Sequence, residues 1–336
     1  MAANLQIQLI KQRDGMPDAS DFEVAEVPIP RPAPGQILVR TVYLSLDPYV
    51  RKAIRGDHPG HEALVEGDVI YGRSVCRVVR SHDESFKVGD YLVAETGWRQ
   101  HAAIGPDKVV QRIDPTVGPL SAAIGALGMP GLTAWGSVEH LSLPTLGETL
   151  VVSAAAGPVG GCVGQLAKLR GARVVGIAGS TEKCDLVTKT YGFDACINYK
   201  EADWEESLKS LCPNGVDVYH DNVGGTLLAD MAKHLSLYGR VVMCGRPADY
   251  HSSKFHGVGL GPFIGRRAKL LGLVVYDYEH DLDRYLRLAG AWMREGRLKI
   301  KEDRVDRLEN APAHFMKLMR GENIGKAIVA VGPEKA

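Results

Sequence analysis

The most constraining stretch of this chain is a strand-like run that breaks at alanine, glycine and proline and then continues as a helix. It reads Val151-Val-Ser-Ala-Ala-Ala-Gly-Pro-Val-Gly-Gly-Cys-Val-Gly-Gln165. Val151 and Val152 have the branched side chains of a buried strand, and the small residues after Gly160 suit a tightly packed helix. The turn matches Ala155-x-Gly157-x-x-Gly160, with alanine in place of the first glycine of a G-x-G-x-x-G fingerprint. In such a turn Gly157 lets the backbone approach a pyrophosphate, and Gly160 lets the helix lie close to the strand. The first N–H groups of the helix then face the anion. The segment predicts a dinucleotide-binding turn; an ordinary tight strand-to-helix turn is the other reading of the same letters.

The surroundings favour the first reading. From Glu148 on, strands and helices alternate: strand 148–153, helix 160–170, strand 173–178, helix 181–191, strand 195–198, helix 203–211, strand 216–221, helix 226–235 and strand 240–244. Strand 269–275, helix 282–295 and strand 326–331 follow. Alternation of this kind predicts an α/β fold with a doubly wound parallel sheet of Rossmann type. The first third differs. Strands at 36–44, 75–79 and 91–94 make it β-rich, and Pro28, Pro30, Pro32 and Pro34 mark the loop before the first. The charged tract Lys299 to Glu309 reads as a solvated connector.

Composition excludes several functions. Lys plus Arg and Asp plus Glu are both 40, so no net basic field exists to hold nucleic acid. The uncharged stretches 115–138 and 149–167 are interrupted by proline and glycine, so neither predicts a membrane span. The start, MAANLQIQLI, has no signal-peptide pattern, and a cytoplasmic protein is expected. The cysteines at 76, 162, 184, 196, 212 and 244 form no C-x-x-C, so no structural zinc or disulfide framework is read.

The end of the second Rossmann strand discriminates between dinucleotides. An NAD site carries Asp or Glu there for the ribose 2′-hydroxyl. Here Ala178-Gly-Ser-Thr-Glu-Lys183 puts Gly179 and Ser180 in that place, with Lys183 following. Small residues plus a cation favour the 2′-phosphate of NADP. Lys183 alone could also be an ordinary exposed helix lysine.

Several motifs together resemble a known family. They are Leu46-Asp-Pro-Tyr-Val-Arg51, Gly128-Met-Pro-Gly-Leu-Thr-Ala134, Ala154-Ala-Ala-Gly-Pro-Val-Gly160, Val174-Val-Gly-Ile-Ala-Gly179, Asp221-Asn-Val-Gly-Gly225, Leu308-Glu-Asn-Ala-Pro312 and Gly321-Glu-Asn-Ile-Gly-Lys326. The chain resembles the zinc-independent medium-chain dehydrogenase/reductases over nearly its whole length, and within them the curcumin reductase and leukotriene hydroxydehydrogenase/prostaglandin reductase group. The resemblance implies a GroES-like β-rich catalytic domain, residues 1–127 and 304–336, around a Rossmann NADP-binding domain, residues 128–303. It implies NADP contacts at Thr133, Gly157, Val159, Gly160, Gly179, Ser180, Lys183, Tyr199, Asn222, Cys244 and Asn323. For Cys244 core packing is an equal alternative. Homodimers joined through the Rossmann sheets are usual in such families.

Zinc-bearing relatives carry a catalytic Cys and a G-H-E motif. Gly60-His61-Glu62 imitates that motif, but the family register falls on Gly72-Arg73 instead, and Ser45-Leu46-Asp47 holds no cysteine. No metal is expected, and His58 and His61 read as loop residues near the active-site rim. Chemistry that hydride transfer drives with hydrogen-bond assistance fits such a chain: NADPH-dependent reduction of a carbon–carbon double bond conjugated to a ketone or aldehyde. Tyr49, in the family's active-site loop, is the catalytic donor expected for the carbonyl oxygen; packing beside Pro48 is its alternative. A second tyrosine of some relatives is replaced by Gly265. The pocket for an apolar enone or enal is expected from Tyr49, Trp98, Met129, Tyr250, Phe255, Tyr276 and Tyr278, with 247–262 as a mobile loop over it. Two alternatives stay open: an NADPH quinone oxidoreductase, and a low-turnover NADPH-binding protein with a structural or regulatory role.

Overall fold

A computed structural model describes residues 3–58, 60–250 and 257–335. The chain divides into two units, Met1–Ile124 with Glu302–Ala336, and Gly125–Lys301.

The second unit is built on a six-stranded parallel sheet. Along the chain its strands are Thr149–Ser153, Arg173–Ala178, Ala195–Asn198, Val216–Asp221, Leu235–Met243 and Lys269–Gly272. In space the third, second and first strands lie side by side, and the fourth, fifth and sixth continue from the first. This is the doubly wound order, and its chain reversal falls between Thr149–Ser153 and Val216–Asp221, where ligands bind such sheets. Central strands covered on both faces demand apolar runs, and Val151, Val175, Tyr219 and Val241 are fully enclosed. Helix Pro158–Leu169 lies close on the sheet because its contact face is glycine. A Cβ at Gly164 would sit 1.9 Å from the Phe193 ring, and one at Gly160 would sit 2.5 Å from the Ala154 carbonyl oxygen.

The first unit carries an antiparallel hairpin, Ala3–Leu9 with Phe22–Pro28, and a seven-stranded sheet. Strand Ile37–Ser45 is central, paired with Arg73–Ser81, His101–Ile104 and Lys326–Ala330. The tract 299–309 is a correction to the sequence reading: Glu302–Asp306 is a strand, paired in parallel with Lys326–Ala330. Arg304 and Asp306 face solvent while Val305 between them is partly buried, and the Arg304 guanidinium lies over the Tyr43 ring. Such an arrangement lets so charged a segment join a sheet edge. Trp98 is a second correction. It is 0% exposed, stacked on Phe22 and edge-on to Phe315, and a Cβ at Gly72 would come within 2.6 Å of its ring. Enclosed on all sides, it holds the core together and leaves no face for a substrate.

Candidate active site

In the second unit, the turn after Ser153 is formed by Ala154, whose φ of +49° is a left-handed conformation that a glycine would adopt more easily. Gly157 follows as the N-cap of the twelve-residue helix Pro158–Leu169, with no side chain capping the first N–H groups. Val159 is half-buried in the first turn. Gly157 and Gly160 differ in an instructive way. Packing requires Gly160, whereas a Cβ at Gly157 would meet only the Ala154 oxygen, at 3.2 Å. Even at Gly157 a Cβ would be a tight fit, and glycine there keeps the backbone bare, as approach by a pyrophosphate requires.

Gly179, Ser180, Lys183 and Tyr199 are brought together at the end of the second strand. Ser180 caps helix Thr181–Asp185, its Oγ accepting the Lys183 N–H at 3.3 Å. A Cβ at Gly179 would lie 3.2 Å from the Tyr199 ring and 3.5 Å from the Lys200 side chain. The cluster thus contains a second cation, Lys200, that motif reading missed; it is exposed and stands next to Tyr199 in the chain. Gly179 and Ser180 occupy the place of the acid at this strand end, and the donors present suit a phosphate.

Asn222 is held from three sides. Its backbone N–H donates to Ser153 Oγ at 2.9 Å and its side-chain amide to the Ser153 carbonyl at 2.8 Å. Its Oδ1 lies 3.1 Å from His220 Nε2, and His220 Nδ1 lies 2.7 Å from Ser137 Oγ. These distances fit a neutral imidazole that donates from Nε2 to Asn222 and accepts the Ser137 proton at Nδ1. Complete burial pushes the His220 pKa down to about 4, which keeps the ring neutral. Beneath them lies the buried carboxyl of Asp221. It accepts from Tyr219 Oη at 2.9 Å, from Ser153 Oγ at 3.1 Å, and from the Gly224 N–H at 3.0 Å. Burial raises its pKa against the pull of those donors. Gly224, at φ +72°, is the residue type that lets the loop fold back onto this carboxyl. None of Ser137, Ser153, His220 and Asp221 was expected from the sequence. Only Asp221-Asn-Val-Gly-Gly225 signalled the place, not the mechanism.

The remaining expected contacts are placed as follows. Thr133 donates its hydroxyl to the Met129 carbonyl at 2.7 Å within helix Met129–Trp135, and Met129 is half-buried at the first turn. The Cys244 N–H donates to the Asp221 carbonyl at 2.9 Å, and burial pushes its thiol up to about 12, so the sulfur is a neutral packing group. Tyr250 follows the turn Pro247–Asp249, half-buried. Tyr276 is exposed, and Tyr278 packs on Gly136 and the His140 ring, which makes it a helix-packing residue. Phe255 lies outside the described residues, as does the middle of the 247–262 segment.

In the first unit, Tyr49 is half-buried and precedes helix Val50–Ile54. Two buried ionic groups fix the backbone on either side of it. Asp47 accepts from Lys326 Nζ at 2.9 Å and from Ser45 Oγ. Arg51, 2% exposed, donates to the carbonyls of Arg13 and Gly15. The motif 46–51 therefore presents Tyr49 from a rigid backbone. Asn323 is also in this unit, its amide donating to the Gly325 carbonyl at 2.7 Å. Among the described residues no three His, Cys, Asp or Glu side chains converge as metal ligands.

Comparison with known proteins agrees with this architecture. Residues 5–113 match the family described as the N-terminal domain of oxidoreductase, and residues 158–291 the family described as zinc-binding dehydrogenase. An NADPH-dependent curcumin reductase of Escherichia coli is 37% identical, covering 96% of this chain and 95% of its own. A 2-alkenal reductase (NADP(+)-dependent) of Nicotiana tabacum is 38% identical, covering 99% and 98%. The crystal structure of CurA from Vibrio vulnificus in complex with NADPH superposes with a TM-score of 0.91 at 36% identity, covering 98% and 99%. The chain belongs to the zinc-independent medium-chain dehydrogenase/reductases.

Proposed function

We propose that this protein is an NADPH-dependent reductase of the carbon–carbon double bond in α,β-unsaturated ketones and aldehydes. The observation that carries the reading is the strand end at Gly179, where Ser180, Lys183 and Tyr199 gather and small residues stand in the place of a ribose-binding acid. The reductases named above, each similar over nearly the full chain, support the same activity.

When bound, NADPH supplies the hydride that the β-carbon receives. The chain's own residues hold the cofactor and the substrate oxygen, and a proton from water completes the reduction at the α-carbon. The first N–H groups of helix Pro158–Leu169 would hold the pyrophosphate, and a glycine at 157 would let it approach the backbone. Lys183 and Tyr199 would meet the 2′-phosphate, while Thr133, Val159 and Asn222 would complete the contacts that this unit offers the cofactor. Tyr49 donates its hydroxyl to the substrate carbonyl oxygen, where negative charge develops as the double bond is reduced. Met129, Tyr250 and Tyr276 contribute to an apolar substrate surface.

The enzyme works as a homodimer. Support comes from strand Lys269–Gly272, which ends the parallel sheet with Leu270 exposed and with Leu237, Tyr238, Leu260, Ile264 and Val274 exposed nearby in sequence or on the adjoining strand. The setting is cytosolic, which suits six free cysteines. No helix among the described residues is long and apolar enough to cross a membrane.

The test is NADPH consumption with panels of enones, enals, quinones and alcohols, followed by product analysis. Saturated ketone or aldehyde products are expected. Turnover confined to quinones, or tight NADPH binding without turnover on any panel, would refute the reading.

A further inference from the structure

The loop after helix Val50–Ile54 returns two histidines onto the Tyr49 ring. Tyr49 and His58 have ring centroids 4.9 Å apart and tilted by 42°, and Tyr49 and His61 are 5.8 Å apart. The two imidazoles are 5.0 Å apart, nearly perpendicular, with their Nδ1 atoms at 3.2 Å. Tyr71 lies edge-on to His61 at 4.6 Å, and its hydroxyl donates to the Glu62 carbonyl at 3.0 Å. Hydride chemistry as proposed above uses Tyr49 but neither histidine.

Two rings that meet Nδ1 to Nδ1 at this distance are constrained in their protonation. One must present N–H and the other its lone pair. The pair accepts one additional proton at the donor ring's Nε2 without losing this contact. A second additional proton would set two N–H groups head to head, so the pair has one accessible cationic state. That charge lies within contact distance of the Tyr49 ring, where a cation is attracted to the π-electrons, draws density away from the O–H bond and stabilises the negative charge that develops on the phenol as its proton is shared. A phenol so placed is a stronger hydrogen-bond donor toward an oxygen that is acquiring negative charge.

We infer that His58 and His61 form a one-proton positioning pair that, when cationic, strengthens Tyr49 as the donor to the substrate oxygen. This rests on the reading of Tyr49 given above. Neither histidine is assigned contact with substrate or cofactor. The charged groups around the pair come from three places. Glu62 adjoins His61, and Asp68 acts with Glu62 on Tyr71 from the following segment. The Arg55–Asp57 pair, 3.5 Å apart, stands on the turn before His58. Lys52 is on the helix itself. On the same turn as Asp57, Arg55 also pairs with Asp14, at 3.6 Å.

The experiment is the pH profile of kcat for the full chain and for His58→Gln, His61→Gln and Tyr49→Phe, with NADPH affinity and the melting temperature of each. Wild-type kcat is expected to fall as pH rises through the ionisation of the pair. Each Gln variant removes the Nδ1–Nδ1 contact but keeps one imidazole, so its profile should shift from that of the wild type and its turnover at the acid end should fall about five- to tenfold, with KM and NADPH affinity unchanged; the double Gln variant should lose the ionisation altogether. His58→Asn and His61→Asn, which keep an amide in place of the imidazole Nδ1, should behave as the Gln variants do and serve if those fold poorly. Histidine variants that retain the wild-type profile, while Tyr49→Phe is strongly impaired, would overturn the inference. An unimpaired Tyr49→Phe would overturn the role of Tyr49 instead.

Discussion

Lys326 Nζ donates to the Asp47 carboxylate at 2.9 Å and to the Leu46 carbonyl at 2.7 Å, joining Lys326 to a residue 279 positions earlier in the chain. Both side chains are largely buried. Asp47 stands two residues before Tyr49, so the late strand of the chain sets the backbone from which the expected donor projects. Removing one member of a buried pair leaves the other uncompensated. Lys326→Met is therefore expected to cost about 3–5 kcal/mol in denaturant unfolding, and Asp47→Asn in the same background should recover part of it. Turnover should fall with NADPH affinity intact, because the pair supports Tyr49 and not the dinucleotide turn.

Tyr49→Phe keeps the ring and removes the hydroxyl. Loss of a donor at a developing oxyanion costs about a hundredfold or more in kcat. NADPH affinity should be unchanged, which stopped-flow and binding titration together can check. Unaltered turnover with a good enone would remove Tyr49 from the reaction.

Lys183→Ala should separate the two cofactors. A charge-assisted contact to phosphate is worth about 1.5–3 kcal/mol, or roughly 10- to 150-fold in Kd, and NADH has no 2′-phosphate to lose it. NADPH binding should weaken by that factor while NADH binding stays constant. Lys200→Ala should produce a smaller effect in the same direction, since its side chain is exposed to solvent.

His220 makes the cofactor-binding unit acid-sensitive. Protonation would charge a completely buried ring, so the folded state binds this proton more weakly than the unfolded chain. Stability from this source is intact above pH 6.5, the ordinary imidazole value, and falls as pH drops toward 4. The loss amounts to roughly 3 kcal/mol. Asp221 works in the opposite direction, because its raised pKa means that the folded state takes up a proton more readily than the unfolded chain. Thermal melts from pH 8 to 4 should show the fall, and His220→Gln should flatten it.

Leu270→Glu places a charge on the exposed apolar edge of the parallel sheet. Light scattering after gel filtration should give the mass of two chains for the wild type and of one for the variant. A wild type of single-chain mass would refute the dimer.

The parallel sheet was legible because its central strands are short apolar runs alternating with helices, and because Gly157 and Gly160 fall where a dinucleotide-binding turn has them. The cofactor choice was legible at Gly179 and Ser180 because an absent acid is as visible in a sequence as a present one. Three features were not. Glu302–Asp306 is too charged to read as a strand, and only its pairing with Lys326–Ala330 makes it one. Trp98 looked like a pocket residue because aromatic character does not reveal whether a ring has an open face. The supports of Asn222 and Tyr49 were invisible because Ser137, Ser153 and Lys326 are ordinary residues until the fold carries them to their partners.

The parallel pairing of Glu302–Asp306 with Lys326–Ala330, and of the latter with Ile37–Ser45, has a consequence for the order in which the protein is made. Residues 125–301 are continuous and can acquire their structure while the ribosome is still at work. The segment bearing Tyr49 emerges earlier, yet it lacks its anchor until Lys326 has been translated. A nascent chain can thus build its dinucleotide turn before the backbone around Tyr49 is anchored, which waits for Lys326.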